Sequence, residues 1–301
     1  MKHPNTPIGW ASTIWSLLNA VHSGPEKFPI DVSQVAAGYS KQVFSSEPIT
    51  LIEGGEMSSN FEGMLLPNPN KNGEWGIIFN SSIKSKGRIN FTLAHEFGHY
   101  LLHRKKFPDG FKCSSKSMLN WESKEAQLEA EANTFASHLL MPLDDYREQI
   151  NKKDITIELF ENLSFRYETS LSAAILKWLE FTKKRAMIVV GKDGFIDWAW
   201  CSTPLFKSGI FYKARQVTTE LPKKSLAYLK DPSINNKEGI KHPPGVWLGD
   251  EEVKEMTIFS DEYDEMSISL LIYPSHASFK YYDEDKEAED SFDRMTRFIK
   301  N

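Results

Sequence analysis

Cysteine is nearly absent. Cys113 and Cys201 are the only two in 301 residues and stand far apart in the chain, which excludes a disulfide framework and a zinc site built on thiolates. A reducing, cytoplasmic setting is the expected compartment. Positive charge is not in excess either. The 36 Lys and Arg face 41 Asp and Glu, a formal charge of −5, so there is no basic field for direct nucleic-acid binding. No apolar run approaches the roughly 20 residues that span a bilayer. The start, Met1-Lys2-His3-Pro4, lacks the apolar stretch and small-residue cleavage site of a secretory leader. The expectation is a protein neither exported nor embedded in a membrane. What the chain does hold is 19 Phe, 10 Tyr and 8 Trp among 40% hydrophobic residues. That is enough apolar side chain for a real core and too much for a disordered chain.

Periodicity divides the chain into an N-terminal helical segment (1–45), a mixed region (46–185) and a smaller β-rich region (186–301). Residues 8–22 repeat apolar side chains at helical spacing, and Asp31 is placed as the N-cap of a short helix from Val32 to Gly38. No basic recognition helix follows, so these helices read as a collar packed on the next domain rather than a helix-turn-helix module. Residues 48–83 read as β structure: Ile49–Ile52, a Gly54-Gly55 turn, Phe61–Leu66, and Glu74–Asn80. The last of these strands is either internal or an edge on which an extended substrate could pair. Helices are expected over Arg88–His103, Glu122–Leu140, 155–168 and 170–184, with a long loop over 104–121. Arg104-Lys105-Lys106 and Lys183-Lys184-Arg185 suit helix C-termini. Beyond 185 come a hairpin through Gly191-Lys192-Asp193-Gly194, then strands Met256–Phe259 and Met266–Tyr273, and a solvated acidic stretch, Asp283–Asp290. Trp178, Trp198, Trp200 and Trp247 read as core residues. The fold class expected from this order is α+β.

Chemistry concentrates in two segments. Three of the eight histidines fall in His95-Glu96-Phe97-Gly98-His99-Tyr100-Leu101-Leu102-His103. On a helix, His95 and His99 are about 40° apart and project from one face. Two imidazoles so placed can bind one Zn²⁺, and Glu96, the next residue, is placed to act as a general base on a water at that ion. Chance predicts on the order of 0.02 such pentapeptides in a chain of this composition, so the motif calls for an explanation. The apolar residues of the same helix fill the adjoining arc, which buries the histidine stripe and asks for a partner for it. Gly98 would let another backbone approach closely.

A catalytic zinc takes a third protein ligand and keeps one position open. In the helix over 122–140, Leu128, Ala132, Phe135, Ala136, Leu139 and Leu140 define a buried face, and Glu129 lies inside that arc. Glu131 points away from it, toward solvent. Asn133, one turn above Glu129, is placed to orient a ligand histidine from behind. Glu125 and His103 compete for the third place. Three ligands on successive turns of one straight helix span roughly 12 Å, too far for one ion, so His103 fits better behind a ligand or on the substrate side. Cys113 reads as a spare thiol, with an inhibitory zinc ligand as the alternative.

The chain resembles the ImmA/IrrE-type zinc metallopeptidases. The resemblance rests on Phe91–His103 and on a second block, Glu129-Ala130-Glu131-Ala132-Asn133-Thr134-Phe135-Ala136-Ser137-His138-Leu139-Leu140-Met141-Pro142, with weaker similarity over about 30–200. It implies a zincin-like peptidase domain, helical with a small sheet, in which His95, His99 and Glu129 bind Zn²⁺ and Glu96 is catalytic. Mn²⁺ suits the same ligands. It also implies a helix-turn-helix transcriptional repressor as the protein substrate, cleaved to release phage, mobile-element or stress genes. Two rivals stay open at this stage: a non-catalytic zinc-containing regulator, and a toxin-like or defence-linked protease with another target.

Overall fold

A computed structural model describes residues 4–21, 24, 27–58, 61–71, 73–112, 124–214, 216–231, 235–260 and 266–275. The chain divides into two compact units. The described residues of Met1–Gln149 and Phe165–Ser170 form one, and those of Ile150–Ser164 and Leu171–Ala288 form the other. The architecture is α+β, a helical part with a small sheet followed by a β-rich part, as the sequence led us to expect.

In the first unit the order is α1 (Pro7–Val21), α2 (Val32–Val43), β1 (Ile49–Gly55), β2 (Gly63–Pro67), β3 (Trp75–Asn80), α3 (Lys86–Leu102), β4 (Phe111–Lys112), α4 (Lys124–Leu140) and α5 (Leu143–Ile150). Helix α1 packs on α4. It buries Trp10, Ala11, Ile14 and Trp15, and the Trp15 indole donates to the carbonyl of Leu139 at 2.8 Å, answering one of the carbonyls that a helix end leaves open. Asp31 caps α2 by accepting from the Gln34 amide at 3.0 Å. That helix runs past Gly38 to Val43, longer than expected. Its buried stripe, Val32, Ala36 and Ser40, continues through the glycine, and the Ser40 hydroxyl accepts from the Ile49 amide at 2.9 Å. Packing and that tie outweigh the roughly 1 kcal/mol a mid-helix glycine costs.

The sheet order is β1-β3-β2-β4, with β1 parallel to β3 and β2 antiparallel to both its neighbours. One expectation is corrected here and one open choice is decided. Gly54 and Gly55 are not a turn; they extend β1 and pair with Phe79 and Asn80. The chain turns after them, where the Asn80 side-chain amide donates to the Phe61 carbonyl at 2.9 Å. Strand β3 has β1 on one side and β2 on the other, so its backbone groups are engaged and it cannot accept an added substrate strand. Within the expected loop over 104–121, Phe111 and Lys112 form a short strand against Leu65 and Met64. Cys113 and the rest of that loop lie outside the described residues. Arg104 does act as a helix-end charge, since its guanidinium donates to the Tyr100 carbonyl at 2.9 Å and stacks on Phe44 and Tyr100.

Helices α3 and α4 form the heart of this unit. Ser85 caps α3, and Ala94, Phe97 and Tyr100 are fully buried along it, as are Ala132, Phe135, Ala136, Leu139 and Leu140 along α4. Each such large side chain contributes roughly 1.5–3 kcal/mol by leaving water. Phe97 meets Phe135 edge to face at 5.6 Å. Gly98 sets the helix separation, because a Cβ there would lie 3.2 Å from the Ala132 Cα and 3.0 Å from Phe135 Cδ1.

The second unit contains α6 (Ile157–Tyr167, whose last three residues belong to the first unit), α7 (Leu171–Phe181), β5 (Ala186–Lys192), β6 (Phe195–Cys201), α8 (Thr203–Lys207), α9 (Leu226–Leu229), β7 (Ile240–His242), β8 (Val253–Ser260) and β9 (Met266–Ile272). Its antiparallel sheet has the order β6-β5-β9-β8-β7. The β5–β6 hairpin turns on Asp193 and Gly194, both at positive φ, the geometry a two-residue hairpin loop requires. Helix α7, grouped above with residues 46–185, packs on β5 in this unit. Trp178 and Trp247 are core residues, whereas Trp198 and Trp200 are only partly buried. The acidic stretch 283–290 lies outside the described residues.

At the centre of β8, Glu255 is fully buried. It accepts hydrogen bonds from His242 Nε2 at 2.7 Å, Trp247 Nε1 at 2.8 Å, Thr257 Oγ1 at 2.9 Å, and the amides of Leu226 and Ala227 at 3.1 Å each. Burial alone would raise its carboxyl. The donors, His242 foremost, outweigh that and hold it below the ordinary carboxylate value.

Candidate metal centre

The i, i+4 spacing on α3 brings His95 and His99 to one side of the helix, and the Gly98 contact brings α4 close enough for Glu129 to face them. One nitrogen from each imidazole and one oxygen of the carboxylate lie within 4.8 Å of one another. His95 Nε2 is 2.9 Å from His99 Nε2 and 3.2 Å from Glu129 Oε2, and His99 Nε2 is 3.6 Å from Glu129 Oε1. All three residues are buried, at 7%, 0% and 4% exposure. Glu96, on the same turn of α3, is 1% exposed. Gly63 of β2 lies against it: a Cβ there would be 3.3 Å from Glu96 Cγ and Oε1, and 2.5 Å from Thr92 Cγ2.

The groups behind the imidazoles are equally ordered. Asn133 Oδ1 is 2.9 Å from His95 Nδ1, and the Asn133 amide donates to the Glu129 carbonyl at 2.6 Å. That second bond fixes which end of the amide faces the histidine, so His95 donates from Nδ1 and its Nε2 lone pair points to the cluster. His103, 1% exposed, stands on the far side of His99. Its Nδ1 is 2.9 Å from His99 Nδ1, and its Nε2 is 3.0 Å from Glu131 Oε2. His103 is therefore behind a cluster residue rather than part of the cluster. The Glu125 side chain lies outside those described. Glu131 corrects the expectation that it points to solvent. It is partly buried and accepts from His103, because the end of α3 passes over a face of α4 that a single-helix projection leaves open.

Charge sharpens the picture. Burial disfavours the charged form of His95, but the hydrogen bond and attraction from Glu129 prevail, and its pKa is pushed up to about 9. Burial and the neighbouring His95 push His99 down to about 3. Burial would raise Glu129, yet the hydrogen bond and charge of His95 outweigh it and hold the carboxyl well below the ordinary carboxylate range. Two imidazole lone pairs and a carboxylate converging in a buried pocket are mutually repulsive unless a cation lies among them. In the metal-free chain a proton meets that need. A divalent ion meets it better, and this N₂O donor set suits Zn²⁺ or Mn²⁺.

Comparison with known proteins agrees with this geometry. Residues 60–179 match the IrrE N-terminal-like domain of the Peptidase M78 family. No curated protein matches the chain. The matched segment runs from β2 through α7 and holds α3 and α4, so the whole cluster lies within the part of the chain that is similar to a peptidase-type domain. Sequence reasoning passed over Gly63 and Thr92 around the cluster, and it set Glu131 on the wrong side of α4. A glycine inside a strand signals close approach of other atoms, and that signal was available for Gly63. Glu131 had none.

Proposed function

We propose that this protein is a zinc-dependent endopeptidase whose substrate is a helix-turn-helix transcriptional repressor, acting in the cytoplasm to derepress phage, mobile-element or stress genes. The observation that carries the enzymatic part is the buried convergence of His95, His99 and Glu129 with Glu96 on the same helical turn. The repressor part rests on the family resemblance. Among the described residues no helix is long and apolar enough to cross a membrane, and the net charge of −5 leaves DNA contact to the repressor itself.

His95, His99 and Glu129 would hold the ion. When bound, Zn²⁺ supplies Lewis acidity, which lowers the pKa of a water and polarises the scissile carbonyl. The chain does the rest. Asn133 and His103 keep the two imidazoles aimed, and the apolar walls of α3 and α4 exclude bulk water. Glu96 takes the proton from the attacking water on its carboxylate and passes it to the leaving amine nitrogen. A purely structural ion would have no use for that base, which is why we prefer catalysis to a non-catalytic regulator. The test is incubation with a candidate helix-turn-helix repressor, with and without a zinc chelator. Two fragments should form only without the chelator; an intact repressor under every condition would remove this substrate.

A further inference from the structure

The hydrogen bonds behind His99 have a direction, and it is set at their far end. A carboxylate can only accept, so His103 Nε2, 3.0 Å from Glu131 Oε2, carries a proton. Where that is the only ring proton His103 carries, its Nδ1 is an acceptor. That atom lies 2.9 Å from His99 Nδ1, and a hydrogen bond between two nitrogens needs one proton, which must therefore sit on His99. A neutral His99 protonated at Nδ1 has its lone pair on Nε2, the atom that faces Glu129 and His95. His103 is itself held in place: it caps α3, its backbone amide bonding to the His99 carbonyl at 2.8 Å, and its ring is buried.

We propose that Glu131 is a positioning residue for the metal site, fixing through His103 the tautomer of His99 that leaves Nε2 free for a divalent cation. This rests on reading the cluster as a metal site. It gives the two ligand imidazoles separate anchors on α4, Asn133 for His95 and Glu131 for His99, two residues apart on one helix. Metal-ligating histidines are commonly oriented this way, and loss of the orienting partner loosens metal binding about ten- to hundred-fold.

The experiment uses the full chain labelled with ¹⁵N, first free of metal. Long-range ¹H–¹⁵N spectra near neutral pH should show His99 protonated at Nδ1 and His103 at Nε2. In Glu131→Ala the His99 tautomers should mix, and the zinc Kd, measured by competition with a coloured chelator, should rise about ten- to hundred-fold. Glu131→Gln keeps an oxygen acceptor and should stay within about threefold of wild type. A wild-type His99 carrying its proton on Nε2 would overturn the proposal whether or not any variant folds. So would Glu131→Ala binding zinc as tightly as wild type. Neither reading needs turnover. A chain with the expected tautomers that cleaves no protein would retire the peptidase assignment and leave this one standing.

Discussion

Each unit of this chain buries a glutamate on a regular element, and the two are surrounded in opposite ways. Glu255 on β8 is ringed by donors: an imidazole, an indole, a hydroxyl and two backbone amides. Its charge is answered by the fold, and nothing further is required there. Glu129 on α4 faces two imidazole nitrogens whose opposite sides are already committed to Asn133 and His103. With both imidazoles unprotonated on the side facing Glu129, acceptors meet acceptors, so the arrangement calls for a proton or a cation among them. A buried carboxylate is thus a fixture or a site according to what its neighbours can donate, and burial alone does not distinguish the two.

That contrast can be broken by substitution. The largest effect should follow His95→Ala or Glu129→Ala, in which bound zinc per chain falls from about one toward zero while Glu255 is untouched; metal analysis after gel filtration measures it. Unchanged metal in Glu129→Ala would move the third ligand to Glu125 or His103. Glu96→Gln should keep its zinc and lose hydrolysis by about 10²–10⁴-fold, because an amide cannot take the proton; a variant that cuts at the wild-type rate removes Glu96 from the chemistry.

Glu255→Ala should do the reverse, leaving metal content alone and lowering stability to urea by about 3 kcal/mol or more through stranded buried donors. Its pH signature follows from the depressed carboxyl. The stability Glu255 contributes is complete above its ordinary value of 4.5 and is lost as pH falls through the lower folded-state value. Glu255→Gln should flatten that acid limb, and a limb of unchanged slope would mean other carboxylates dominate it. The smallest effect is expected from Gly98→Ala. Its methyl would press on Ala132 and Phe135, costing about 1 kcal/mol and weakening zinc binding slightly by parting α3 from α4, which urea melts and chelator competition would register.

Local signals foretold much of this molecule. The i, i+4 histidines, the apolar arcs of α3 and α4, the Asp31 cap and the Asp-Gly hairpin each state a short-range preference that packing then reinforced. Failures came where one neighbouring element decided the outcome. Gly54-Gly55 has the composition of a turn, yet pairing with β3 keeps it extended. Glycine at 38 reads as a helix end, yet the buried stripe and the Ser40 bond carry α2 onward. Strand β3 was ambiguous because its sequence cannot say which strands flank it. Short pieces such as β4, β7, α8 and α9 have too few residues for any period to show.

The sequence by itself determined which residues are candidates for the chemistry, because helical spacing puts His95 and His99 on one stripe and Glu129 on an apolar face whatever lies opposite. Only the tertiary structure decided how they meet. The distance between α3 and α4, the approach of β2 to Glu96 and the chain from Glu131 through His103 to His99 are contacts between elements remote in sequence. No single helix encodes the direction of a proton held between it and its neighbour.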